Sequence, residues 1–93
     1  MDDPRGPVSV LLPPALVKLF PGACPRVDMR AGSVRDVIDT LDARWPGMRY
    51  RLCDSTPRIR PSINVFVAGR RAHLGTRIDP GVEVAIITAI VGG

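Results

Sequence analysis

The stretch that decides the fold is Val82-Glu83-Val84-Ala85-Ile86-Ile87-Thr88-Ala89-Ile90-Val91-Gly92-Gly93, a β-branched run that leads directly into two glycines. Val and Ile suit a pleated, buried strand, whereas glycine there loses packing and costs backbone entropy. The two parts of the stretch therefore serve different ends. One reading of Gly92 and Gly93 is a frayed terminus. The other is a rigid strand that aims a narrow, Cβ-free carboxylate into the active site of another protein. Taking Glu83 as solvent-facing sets the phase of the strand, so that Val82, Val84 and Ile86 point inward and Ala85 and Ile87 outward.

The rest of the chain supplies what this strand packs against. Val8-Ser9-Val10-Leu11-Leu12 alternates as a strand with Val8, Val10 and Leu12 on one face, and residues 1–6 before it read as a loose arm. Pro13-Pro14 ends that strand and opens a short helical turn over 15–20, carrying Leu16, Leu19 and Phe20. Arg26 to Arg30 alternates again, with Val27 and Met29 inward. Ser33, three residues before Asp36, forms a near capping box ahead of Val34, Val37, Ile38, Leu41 and Trp45, the apolar face of the main helix. Arg35 and Asp39 are spaced to pair on its other face, and Pro46-Gly47 stops it. Met48 to Asp54 reads as another turn and 55–61 as a surface loop. Ile63 to Ala68 is a strand, Gly69-Arg70 a turn, Ala72-His73-Leu74 a short edge strand, and Asp79-Pro80-Gly81 the turn into the final strand.

Strands at both ends and one main helix between them bury that helix only if they form a single sheet. The expected fold class is α+β, a mixed sheet of four to five strands packed on one main helix. The phase that buries Val8, Val65 and Val84 puts Leu11, Phe66 and Ile87 on the opposite sheet face, where polar residues are the norm. A contiguous apolar patch there would be a docking surface.

Composition narrows the function classes. Ninety-three residues make one domain, and with 45% hydrophobic and 24% charged residues the chain is globular. No apolar run is long enough to span a bilayer, and the acidic start Met1-Asp2-Asp3 is unlike a secretory signal, so the expectation is a soluble, cytoplasmic protein with no membrane partner. Thirteen basic residues, all arginine except Lys18, give a net charge of +4, but they lack the interleaved aromatics of a nucleic-acid stacking surface. Cys24, Cys53 and the single His73 cannot assemble a four-ligand zinc site. One histidine, no Gly-rich phosphate loop and no carboxylate pair at helical spacing with a plausible pocket argue against a self-sufficient enzyme, so no catalytic residue and no metal ligand is expected.

The residues Ile63-Asn64-Val65-Phe66-Val67, the turn Asp79-Pro80-Gly81 into Val82-Glu83-Val84, the helix end Arg44-Trp45-Pro46-Gly47 and the ending Ala89-Ile90-Val91-Gly92-Gly93 resemble the ubiquitin-like, β-grasp sulfur carrier proteins. That family includes the small subunit of molybdopterin synthase and the carriers of thiazole and cysteine synthesis. The resemblance implies a β-grasp domain over 7–89, a flexible arm over 1–6 and a flexible tail over 90–93. It further implies that a ubiquitin-activating-type adenylyltransferase uses ATP and Mg to adenylate Gly93, that sulfur then replaces AMP to give a thiocarboxylate, and that a sulfur-accepting biosynthetic enzyme receives it. Ile90, Val91 and Gly92 would thread the tail into those sites, while Phe66, Ile87 and Leu11 would bind the partner. No cofactor is bound by the carrier itself. The alternatives are the small subunit of a molybdopterin-synthase-like enzyme and a ubiquitin-like protein modifier. The tail Thr88-Ala89-Ile90-Val91 departs from the Pro-(Pro/Ala)-Val-Ala pattern common in the molybdopterin and cysteine types, and Arg70-Arg71 replaces acidic residues, so the pathway stays open.

Overall fold

A computed structural model describes residues 5–88. Its elements are β1 (Gly6–Leu11), α1 (Pro14–Leu19), β2 (Arg26–Ala31), α2 (Val34–Arg44), α3 (Met48–Leu52), β3 (Ile63–Val67), β4 (Arg70–Arg71) and β5 (Glu83–Thr88). They form one five-stranded mixed sheet in the order β2-β1-β5-β3-β4. β5 lies at its centre, parallel to β1 and antiparallel to β3. The strand whose reading decides the fold thus holds the two halves of the sheet together.

The alternation expected of each strand is present. Val8, Val10, Val27, Met29, Ile63, Val65, Val67, Val84 and Ile86 are buried on the helix side, where they meet Val34, Val37, Ile38 and Leu41 of α2. Ser33 caps α2, its Oγ accepting from Asp36 N at 3.2 Å, while Asp36 Oδ2 accepts from Gly32 N at 2.9 Å. The reciprocal bond of this near capping box thus comes from Gly32 rather than from the cap residue, while Val34 N and Arg35 N donate to Thr76 O and Leu74 O. Gly47, at φ 101°, takes the left-handed conformation that lets the chain reverse into α3, and Met48 and Leu52 add a second buried layer.

Several local expectations are corrected. β1 opens at Gly6 rather than Val8, opposite Ala31, because a Cβ at position 6 would lie 2.5 Å from Pro80 and only glycine admits that approach. Leu19 is 51% exposed, so α1 is anchored by Leu16, with Phe20 half-buried. Asp39 pairs with Arg49 Nη2 at 2.8 Å instead of with Arg35. The hairpin after β3 turns at Ala68-Gly69, both with positive φ, and pairs Val67 with Arg70. That is the two-residue loop whose twist matches the strands. β4 accordingly occupies Arg70–Arg71, and Ala72-His73-Leu74 leaves the sheet.

Candidate functional site

Register fixes what the outer sheet face presents. Phe66 of β3 and Leu11 of β1 both stand opposite Ala85 of β5, Leu11 also stands opposite Arg26 of β2, and Phe66 opposite Arg71 of β4. One row therefore crosses all five strands through Arg71, Phe66, Ala85, Leu11 and Arg26. The small side chain of Ala85 keeps Phe66 and Leu11 from being separated by bulk. In the neighbouring row Ile87 stands opposite Asn64 and is 46% exposed. Phe66 and Leu11 are half-buried. The three apolar residues singled out from sequence thus share one face, gathered on adjacent rows.

Polarity changes along β5. The row that opens the strand carries Glu83, Ser9 and Asp28. Here Ser9 Oγ donates to Asp28 Oδ1 at 2.9 Å and accepts from Arg26 Nη2 at 2.9 Å, a small network that holds the β2 corner of the face. The apolar side chains begin with the next row and continue to Ile87, towards the end of the strand. Ile90, Val91, Gly92 and Gly93, the tail residues expected to enter partner sites, lie outside the described residues. Sequence reasoning placed Ala85 on this face but missed Arg26 and Arg71 as members of the patch, because only cross-strand register reveals which residues are neighbours.

Several ionisable groups elsewhere hold the fold together. Arg49 Nη1 meets Asp42 Oδ2 at 3.0 Å, and Asp42 Oδ1 accepts from the backbone N of Gly47 and of Arg49, fastening α3 to the end of α2. Burial pushes the Cys53 thiol up. Hydrogen bonds from the Thr56 side chain and backbone and from Arg58 N hold the Asp54 carboxyl below its usual range. Among the described residues no group of three or more His, Cys, Asp or Glu is placed to hold a metal ion, and no helix is long and apolar enough to cross a membrane.

No protein-family model and no curated protein matches the sequence. Solved structures do match. CysO in the Amycolatopsis orientalis BexX/CysO complex superposes with a TM-score of 0.80 at 24% identity, covering 92% of this chain and 99% of that one. SAMP1, small archaeal modifier protein 1, of Haloferax volcanii gives 0.79 at 24% identity, covering 95% and 100%. CysO of Mycobacterium tuberculosis gives 0.78 at 25% identity, covering 89% and 99%. The helix-on-mixed-sheet arrangement and these likenesses together establish the β-grasp, ubiquitin-like fold, as the resemblance implied.

Proposed function

We propose that this chain is a ubiquitin-like sulfur carrier, a protein co-substrate rather than an enzyme, that transports sulfur as a thiocarboxylate on Gly93. The observation that carries the proposal is the whole-domain likeness to the two CysO chains, in a protein whose sequence after the central strand includes Gly92-Gly93. The chemistry follows from the carboxylate. It is ionised at neutral pH, with an ordinary pKa of about 3.3–3.7, and is a poor electrophile until activated. In the proposed sequence a Gly93 carboxylate oxygen attacks the α-phosphorus of ATP, pyrophosphate leaves, and a sulfur nucleophile then displaces AMP from the acyl-adenylate. ATP and Mg belong to the partner adenylyltransferase, and a biosynthetic enzyme accepts the sulfur. Residues 89–93, if extended, reach roughly 16–18 Å, and the lack of Cβ atoms at the last two suits a narrow channel.

The role of the outer face in this reading is to hold the carrier while the tail reaches inward, with Phe66, Leu11 and Ile87 as the contact. That CysO of Amycolatopsis orientalis is found in a complex with BexX supports a carrier that works by docking. A second reading, a modifier joined through Gly93 to lysines of other proteins, is favoured by the likeness to SAMP1. Intact mass of protein isolated from its own cells tests the proposal. A species about 16 Da heavier, from oxygen replaced by sulfur on the terminal carboxylate, is the expected result. Conjugates to target lysines without that species would replace the carrier with the modifier.

A further inference from the structure

A second surface lies away from the outer face. β4 is two residues long, and its ladder to β3 closes with Ala72 N donating to Val65 O at 2.7 Å. The chain then leaves the sheet, and Leu74 O accepts from Arg35 N at the start of α2. Between this crossing, the edge of β3 and the loop over 57–61 lies an open groove of about 500 Å³. Its apolar lining includes Ile59, Ile63 and Leu74.

Three arginines border the groove, Arg35 from α2 and Arg58 and Arg60 from the loop, the last also donating from Nε to Tyr50 O at 2.8 Å; Arg71, of the outer-face row, meets it only at the β4 margin, and no carboxylate lines it. Like charges gathered on one concave surface repel one another, and nothing in the lining offsets them. Asp39 and Asp42 are engaged with Arg49, and Asp54 with Thr56 and the Arg58 amide. The complement that fits is negative at the rim and apolar at the floor. A nucleic acid would supply the charge, but no Phe, Tyr or Trp lines the groove to stack its bases.

We propose that this groove docks an acidic peptide segment of a partner protein, an extended stretch whose branched apolar side chains meet Ile59, Ile63 and Leu74 and whose carboxylates meet the arginines. An extended chain suits an open trough beside a strand edge, with alternate side chains turned to the floor. The inference goes beyond the carrier reading and does not depend on the chemistry of Gly93.

The test is a fluorescence-polarisation titration of the full chain with a labelled octapeptide of alternating isoleucine and glutamate, with amide shifts recorded by NMR. Expected are saturable binding, shifts at Ile59, Ile63 and Leu74, and a loss of about tenfold or more in affinity for the double variant Arg35→Glu, Arg58→Glu. A lysine-for-glutamate peptide should bind that variant more tightly than it binds the native chain, which separates a charge effect from a folding defect. A serine-for-isoleucine peptide that binds as well as the original would overturn the proposal, since charge alone would then account for binding. So would tighter binding of an oligoadenylate RNA, shifts confined to the face of Phe66 and Ile87, or no saturation by about 1 mM peptide.

Discussion

Leu41 has no exposed surface and sits in one core cluster with Val37, Ile38 and the inward residues of the sheet. Truncating it leaves a cavity that the surrounding branched side chains cannot readily fill, so Leu41→Ala should cost about 2–5 kcal/mol. Urea unfolding that shows a loss below about 0.5 kcal/mol, the range of surface changes, would contradict this burial. The two cysteines differ in the same terms. Cys24 is exposed and Cys53 buried, and burial holds the Cys53 thiol protonated to higher pH. Because the thiolate is the reacting form, iodoacetamide should modify Cys24 well before Cys53, and peptide mass spectra would reveal the order. The spacing of Val34, Val37, Ile38 and Leu41 made the helix face legible in the sequence, since a 3.6-residue period needs no tertiary information. Ile78, 5% exposed in a segment between turns, carried no such period. Gly6 was hidden for a related reason, because its partner Pro80 is remote in sequence.

Elements are joined by groups that local pattern does not show. Asp42 reads as one more polar residue on α2, yet its carboxylate accepts from the backbone N of Gly47 and of Arg49, where the chain reverses into α3. Asp42→Ala strips both amides of their acceptor and should cost about 1–3 kcal/mol. Asp39→Ala removes an exposed ion pair to the same arginine and should cost less. Equal losses in chemical denaturation would show that the ion pairs, not the backbone amides, fasten α3. The β3-β4 hairpin is strained in one place, for Ala68 has φ 51°. Alanine is disfavoured there and asparagine tolerated, so Ala68→Asn should raise stability by up to about 1 kcal/mol. A lowered melting temperature would contradict this. The turn was legible as Gly69 in the sequence but not its position, because an alanine gives no signal of positive φ.

At the scale of the molecule the two halves of the proposed mechanism, tail and face, were visible to different degrees. The order of strands and helices and the β5 phase could be read from alternation and punctuation, but the gathering of Phe66, Leu11 and Ile87 depends on β5 lying between β1 and β3. If Gly93 carries the reactive carboxylate, deleting it, or adding a bulky residue after it, should abolish adenylation and leave the melting temperature unchanged. A tagged, unprocessed chain that is adenylated at the native rate would defeat that expectation. The face makes a separate demand. A carrier must present its tail to one enzyme and then another, so each must hold something more distinctive than two glycines. Phe66 is half-buried among its neighbours and sits on the far side of the sheet from α2. Covering an aromatic or an isoleucine at a contact supplies about 1.5–3 kcal/mol each, about tenfold or more in affinity. Phe66→Asp should therefore weaken binding to the activating enzyme by about tenfold or more, with a melting temperature near that of the native chain. Two measurements on the same variant decide it. Unfolding would place the Phe66 ring within the stability of the sheet rather than on a free surface, and native folding with native affinity would remove the outer face from the docking step.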